Sequence, residues 1–167
     1  MATAPPADLE LTPLDGDGRP LAEWLTTFRL LTVVIDPFTW ESAWLLDTAG
    51  RVLRTFADAD CRASFLVTGT ADEARQFLGP WADSLLIFVD PDRAAVEALG
   101  LEHLPAFVHI GQDGTLVGVA EGWDAPEWRA VAHEAGRLLK WSVPVLPAHG
   151  DPGPFEGSPA LGAPADA

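Results

Sequence analysis

The sequence predicts a single α/β domain in three layers, a mixed central sheet with helices on both faces. Two apolar runs, Leu30 to Ile35 and Leu85 to Val89, have the continuous character of strands buried on both faces. Amphipathic helical segments alternate with them. A second pair of runs, Ala106 to Ile110 and Thr115 to Ala120, is joined by Gly111-Gln112-Asp113-Gly114 and reads as a hairpin, which adds antiparallel strands to the sheet.

In chain order, Leu9 to Leu14 alternates as a short strand closed by the turn residues Asp15-Gly16-Asp17-Gly18. The buried strand Leu30 to Ile35 ends at Asp36-Pro37. Leu45, Ala49, Val52, Leu53 and Phe56 then fall on one helical face, with Thr39 or Ser42 placed to cap the start. Ala63 to Val67 is the next strand. Thr70-Ala71-Asp72-Glu73 forms a capping box before the face Ala74, Phe77, Leu78 and Trp81. After Leu85 to Val89, Asp90-Pro91 opens a short helix that Gly100 stops. The last helix starts at Asp124, read as its cap, and presents Trp128, Val131, Ala132, Ala135, Leu138 and Leu139 on one side.

These elements occupy residues 8–142. Residues 1–7 read as a flexible N-terminus. In residues 143–167, six prolines and four glycines with no lysine or arginine predict a disordered tail. Pro144-Val145-Leu146-Pro147 reads as linker rather than as a polyproline ligand.

Of the 167 residues, 48% are hydrophobic, enough for a core without staples. Ten basic against 25 acidic residues give a net charge of −15, a surface that repels phosphate backbones and anionic headgroups, so neither nucleic acid nor membrane is an expected partner. With the single cysteine Cys61, an intrachain disulfide, a cysteine zinc site and a dithiol pair are excluded. No basic-then-apolar leader opens the chain, and the expected compartment is the cytoplasm. The four histidines show no paired ligand spacing, and no serine stands in a nucleophile elbow; no metal site, catalytic triad or cofactor is predicted.

The order strand–helix–strand–helix–strand–short helix–hairpin–helix resembles the thioredoxin-like superfamily over about residues 8 to 141. The stretch Asp90-Pro91-Asp92-Arg93-Ala94, Leu99-Gly100-Leu101, Leu104-Pro105-Ala106-Phe107-Val108 and Gln112-Asp113-Gly114 is similar to the second half of TlpA-type and peroxiredoxin-type members, and Leu9 to Trp24 resembles the leading segment of TlpA-like proteins. The resemblance implies a cis Pro105. Asp36-Pro37-Phe38-Thr39-Trp40-Glu41-Ser42 is similar to the Asp-Pro-x-Cys-x-x-Cys segment of DsbA-like oxidoreductases, with Thr39 and Ser42 where the two cysteines stand. A hydroxyl supplies no thiolate at neutral pH, and only a thiolate attacks a disulfide sulfur.

Three readings follow from these positions. The leading one is a redox-inactive, thioredoxin-fold adaptor that binds a protein or peptide partner. Relatives grip extended peptides with the edge beside the cis-proline and the tip of the cysteine turn. The hairpin brings Leu104-Pro105 opposite Gly122-Trp123, and with Trp40 at the tip these residues form a candidate apolar patch. Trp123 has a second reading, packing onto Trp128 beside the cap Asp124. The competing reading is an enzyme, a small-thiol-dependent transferase or a thiol–disulfide or peroxide reductase, using the Thr39 and Ser42 hydroxyls as glutathione-transferase-like relatives use theirs. The third works through Cys61 alone, although its acidic neighbours Asp58 and Asp60 and its place at a strand start predict a packed structural thiol.

Overall fold

Every residue from Leu30 to Ile35 is buried, and their side chains alternate between two cores. Leu31, Val33 and Ile35 face one, Leu30 and Val34 the other. A strand apolar on both faces finds its place in the middle of a sheet covered by helices on both sides.

The computed structural model describes residues 1–162. The elements are β1 (Glu10–Pro13), β2 (Arg19–Pro20), α1 (Leu21–Trp24), β3 (Arg29–Ile35), α2 (Trp40–Phe56), β4 (Cys61–Val67), α3 (Ala71–Leu78), α4 (Trp81–Ser84), β5 (Leu86–Val89), α5 (Ala94–Leu99), β6 (His103–Leu104), β7 (Ala106–Ile110), β8 (Leu116–Glu121), α6 (Ala125–Leu139) and β9 (Ser158–Pro159). The main sheet runs β2-β1-β5-β4-β3-β7-β8. β3, β4 and β5 are mutually parallel, and β1, β7 and β8 join antiparallel. The apolar faces of α2, α3 and α6 pack on one side of the sheet, while α1 and α5 pack on the other.

Local chemistry explains the element ends. Thr70 and Glu73 form the reciprocal capping box that opens α3. The Asp90 carboxylate accepts from the Ala95 and Val96 amides at 3.1 and 3.2 Å, so it caps α5 from outside the helix. Gly100 closes that helix at φ 66°, a conformation glycine takes without strain. Asp124, by contrast, precedes α6 without a side-chain capping bond, which corrects the sequence reading. Among the described residues no helix is long and apolar enough to cross a membrane.

The largest difference from the sequence expectation lies at the C-terminus. Residues 143–162 are not a free tail. Leu146 and Ala160 are buried, β9 pairs antiparallel with β6, and Phe155 bridges Trp123. The prolines and glycines that suggested disorder lie in a segment that runs back across β6 and past the end of β8 at Trp123. Its anchors are few and widely spaced, so they leave no periodic signature. Residues 163–167, also assigned to the tail, lie outside the described residues. The N-terminal stretch is likewise engaged: the Thr3 amide donates to the Leu99 carbonyl at 2.8 Å, and the Met1 ammonium pairs with Glu102 at 2.8 Å.

Candidate functional site

The turn between β3 and α2 is organised around Asp36, which is 2% exposed. Its backbone N–H donates to Ser42 Oγ at 2.9 Å, and its backbone carbonyl accepts from Thr39 Oγ1 at 3.2 Å. One carboxylate oxygen accepts from the Phe38 amide at 3.0 Å, and the other lies 2.7 Å from Arg93 Nη2. Ser42 is fully buried. Both hydroxyls are therefore committed to fixing the turn, and Thr39 makes no side-chain cap to α2 even though it is the cap residue. A buried carboxylate–guanidinium pair is costly to break from one side, because the survivor keeps its charge without water. The pair ties the turn to Arg93 at the start of α5.

With Asp36 and Pro37 held, the following side chains are pushed outward. Phe38, Trp40 and Trp44 are 66%, 75% and 56% exposed. Trp40 and Trp44 are four residues apart on α2 and thus neighbours on one helix face. Phe38 also forms the rim of an open groove of about 580 Å³ with Pro37, Ala43, Leu46, Glu73, Gln76 and Phe77. Thr39 does not line that groove.

The rest of the expected patch is closed. Leu104 and Trp123 are 0% and 1% exposed, and Pro105 is buried. The hairpin does bring the two pairs together, with the Gly122 amide donating to the Pro105 carbonyl at 2.8 Å, and the Leu104–Pro105 peptide is cis. What the sequence did not reveal is that residues 155–160 lie across this edge. Trp123 packs edge-on against Trp128 at 5.3 Å between ring centroids and donates its indole N–H to the Pro152 carbonyl at 2.7 Å. Its packing reading is the one the structure supports, and of the four residues placed in the patch only Trp40 remains open.

Cys61 stands at the opposite end of the sheet. It is in register with Arg29 at the start of β3, whereas the Asp36 turn follows the end of that strand. Six strand steps separate the two ends, about 20 Å. The thiol is 8% exposed and donates to the Phe56 carbonyl at 3.3 Å. Burial, opposed by Arg29 and assisted by Asp60, pushes its pKa up to about 11. His103 sits at the covered edge with Nε2 3.2 Å from Glu156 Oε1. Among the described residues no three His, Cys, Asp or Glu side chains converge as metal ligands would.

No protein-family profile matches the sequence, and the curated proteins contain no match. Solved structures do match. A pneumococcal exposed lipoprotein thioredoxin from Streptococcus pneumoniae superposes with a TM-score of 0.59 at 20% identity, over 77% of this chain and 99% of its own. The fold is thioredoxin-like. Peroxiredoxin Q from Xanthomonas campestris matches this thioredoxin-like chain with a TM-score of 0.58 at 14% identity, over 80% of this chain and 89% of its own. A hypothetical protein from Sinorhizobium meliloti matches with a TM-score of 0.68 at 14% identity, over 98% of this chain and 95% of its own. That last match runs past residue 143, so the thioredoxin-like core together with its C-terminal segment resembles another solved structure.

Proposed function

We propose that this thioredoxin-like chain binds a protein or peptide partner through Phe38, Trp40 and Trp44, and that it does not perform dithiol–disulfide exchange. The observation that carries the reading is the exposure of three large aromatics, Phe38 on the Asp36 turn and Trp40 and Trp44 in the first turns of α2, around Thr39 and Ser42. Aromatic side chains held in place lose little entropy on binding and serve as interface anchors. The chemistry of the turn supports the negative half. Neither hydroxyl is an activated nucleophile, and the single thiol is protonated at neutral pH and about 20 Å from the turn.

A second reading is favoured by the matches themselves, since the solved neighbours include a lipoprotein thioredoxin and a peroxiredoxin. On that reading the chain is a thiol-dependent enzyme that works with a small thiol near Thr39 or through Cys61. One paired experiment separates the two. Insulin and peroxide turnover are measured with and without glutathione, while partner capture is run in parallel on the wild type and on Trp40→Ala. Absence of turnover with capture lost in the variant supports the binding reading. Turnover that needs Cys61 or glutathione overturns it.

A further inference from the structure

Phe38 stands at one end of a groove that continues well beyond it. The hollow of about 580 Å³ beside Phe38 and a second of about 480 Å³ beside Trp81 share Leu46 and Phe77, so they form one channel between α2 and the α3–α4 pair. From Ala43 to Arg54 along α2 it is about 16 Å long. Leu46, Phe77 and Trp81, each half-buried, make an apolar floor. Gly50 shapes the far end: a Cβ there would run into the Trp81 ring, so glycine lets the indole lie against α2. Charge along the walls is one-sided. Asp47 and Glu73 both line the groove, and neither pairs with a cation among the described residues. Arg54, the one cation of the described lining, is stacked over Trp81 at 4.8 Å from the ring centroid.

We propose that this groove seats an amphipathic helix of a partner protein, which lays apolar side chains on Leu46, Phe77 and Trp81 and brings lysine or arginine to Asp47 and Glu73. This rests on the reading of Phe38 and Trp40 as a partner surface and adds the partner's chemistry. Trp40, Ala43 and Asp47 fall at i, i+3 and i+7 on α2, so the exposed aromatic and the groove wall share one stripe. The walls decide for a helix. Both are helices, whose main-chain groups are already paired, so an extended peptide would lie there with its own N–H and C=O groups unmatched. A helix pairs its main chain internally and reaches a groove with side chains at i, i+3, i+4 and i+7. The charge decides what that helix carries. A second copy of this chain would bring another net −15 to a groove edged by unpaired carboxylates, and nucleic acid or an anionic membrane would meet the same repulsion. A basic helix is attracted instead, which selects it over neutral and acidic competitors.

The probe is a designed peptide of about 14 residues, with leucines at i, i+3 and i+7 and lysines beside them, titrated into the isotope-labelled full chain at about 150 mM salt. Two comparison peptides are used. One has the same composition permuted so that the leucines share no helical face, and the other has glutamate in place of lysine. Amide shifts should be confined to the surroundings of Phe38, Leu46, Asp47, Glu73 and Phe77, with binding at least about tenfold tighter than for either comparison peptide. Asp47→Asn combined with Glu73→Gln removes both charges while keeping an acceptor for the Trp81 indole and for the Thr70 amide. It should weaken the lysine peptide by about fivefold or more at an unchanged melting temperature. Ala43→Arg and, separately, Gln76→Arg, both at exposed positions of the lining, put a bulky cation in the groove and should abolish binding. Equal binding of the permuted or the glutamate peptide overturns the proposal, since it leaves only attraction to an acidic surface. Full affinity in both arginine variants also overturns it, as does absence of binding below about 1 mM. A wild-type dimer whose interface maps to the groove gives it to a second copy and overturns the proposal too. The two readings fail separately. Partner capture lost in Trp40→Ala but kept in both arginine variants ends the groove proposal alone. Capture kept in Trp40→Ala ends the reading of Trp40 as an anchor, while the peptide titration still reports on the groove.

Discussion

The Asp151 carboxylate receives both ends of the Arg51 guanidinium, at 2.7 and 2.9 Å, and so ties the C-terminal segment to the middle of α2. The Thr48 hydroxyl and the Ala148 amide also donate to it, at 2.8 and 2.7 Å, and the Asp151 side chain is only 3% exposed. Burial raises the pKa of this carboxyl, but the bonds from Arg51, Ala148 and Thr48 outweigh it and hold the value at about 2.

That depression sets a pH window. A carboxylate whose pKa is lower folded than unfolded stabilises the fold above its unfolded value, and the contribution is lost as pH falls through the folded one. Asp151 is expected to contribute about 2 kcal/mol at neutral pH, lost between about pH 4 and pH 2. In Asp151→Asn, acid unfolding monitored by tryptophan fluorescence should lose that part of its slope, and stability at pH 7 should fall by a comparable amount.

Removing residues 143–167 should cost stability, because the cut exposes the site of buried Leu146 and uncovers Trp123 and Leu104. A fall in melting temperature of more than about 5 °C is expected by calorimetry. Leu146→Ala alone should cost about 2–3 kcal/mol. An unchanged melting temperature for the truncated chain would return residues 143–167 to the status of a free tail.

Two tryptophans should behave oppositely. Trp40→Ala removes an exposed ring and should change unfolding free energy by less than about 0.5 kcal/mol, yet weaken a captured partner by about 2 kcal/mol, roughly thirtyfold. Trp123→Ala empties a buried site and leaves the Pro152 carbonyl without its donor, so a loss of about 3–5 kcal/mol in stability is expected by urea unfolding. Strong destabilisation by Trp40→Ala with every partner retained would remove the main residue of the binding reading.

Cys61 should react with a soluble disulfide reagent slowly in the native state and rapidly in denaturant, because the thiol is buried and held protonated near neutral pH. The native rate should rise only as the pH approaches about 11 or as the domain opens. Fast native labelling at pH 7 would favour the single-thiol enzyme.

His109, wholly buried in β7, provides a second pH window. Burial, with the Arg29 guanidinium whose Nη1 lies 3.1 Å from Nε2, pushes its pKa down to about 4. The unfolded chain then binds the proton that the folded one refuses. Stability is expected to fall by about 3 kcal/mol as pH drops from about 6.5 to about 4. His109→Gln should flatten the stability–pH curve over that interval, above the window set by Asp151.

Much of the framework was written in local pattern. The run from Leu30 to Ile35, the Thr70–Glu73 capping box, the apolar stripe of α2 and the Gly111–Gly114 turn are each found where their period or turn chemistry put them, and α6 keeps its stripe except at Leu138, which is 38% exposed. The presence of a single thiol was also plain, since the absence of a second cysteine depends on no neighbour. Other features depended on residues distant in the chain. The Asp36 carboxylate is paired only because Arg93, 57 positions on, reaches it, whereas Thr39 and Ser42 bond its backbone from within the same turn. Leu104, Pro105 and Trp123 do form one edge, but whether the edge is open is decided by Phe155 to Ala160, a segment with no periodicity of its own. Its strand pairing, its aromatic contact with Trp44 and the Arg51–Asp151 tie each join residues far apart in sequence. Composition reports how much apolar surface a segment can bury, not the edge already waiting to receive its backbone, and so only the tertiary structure turned a proline-rich tail into part of the site.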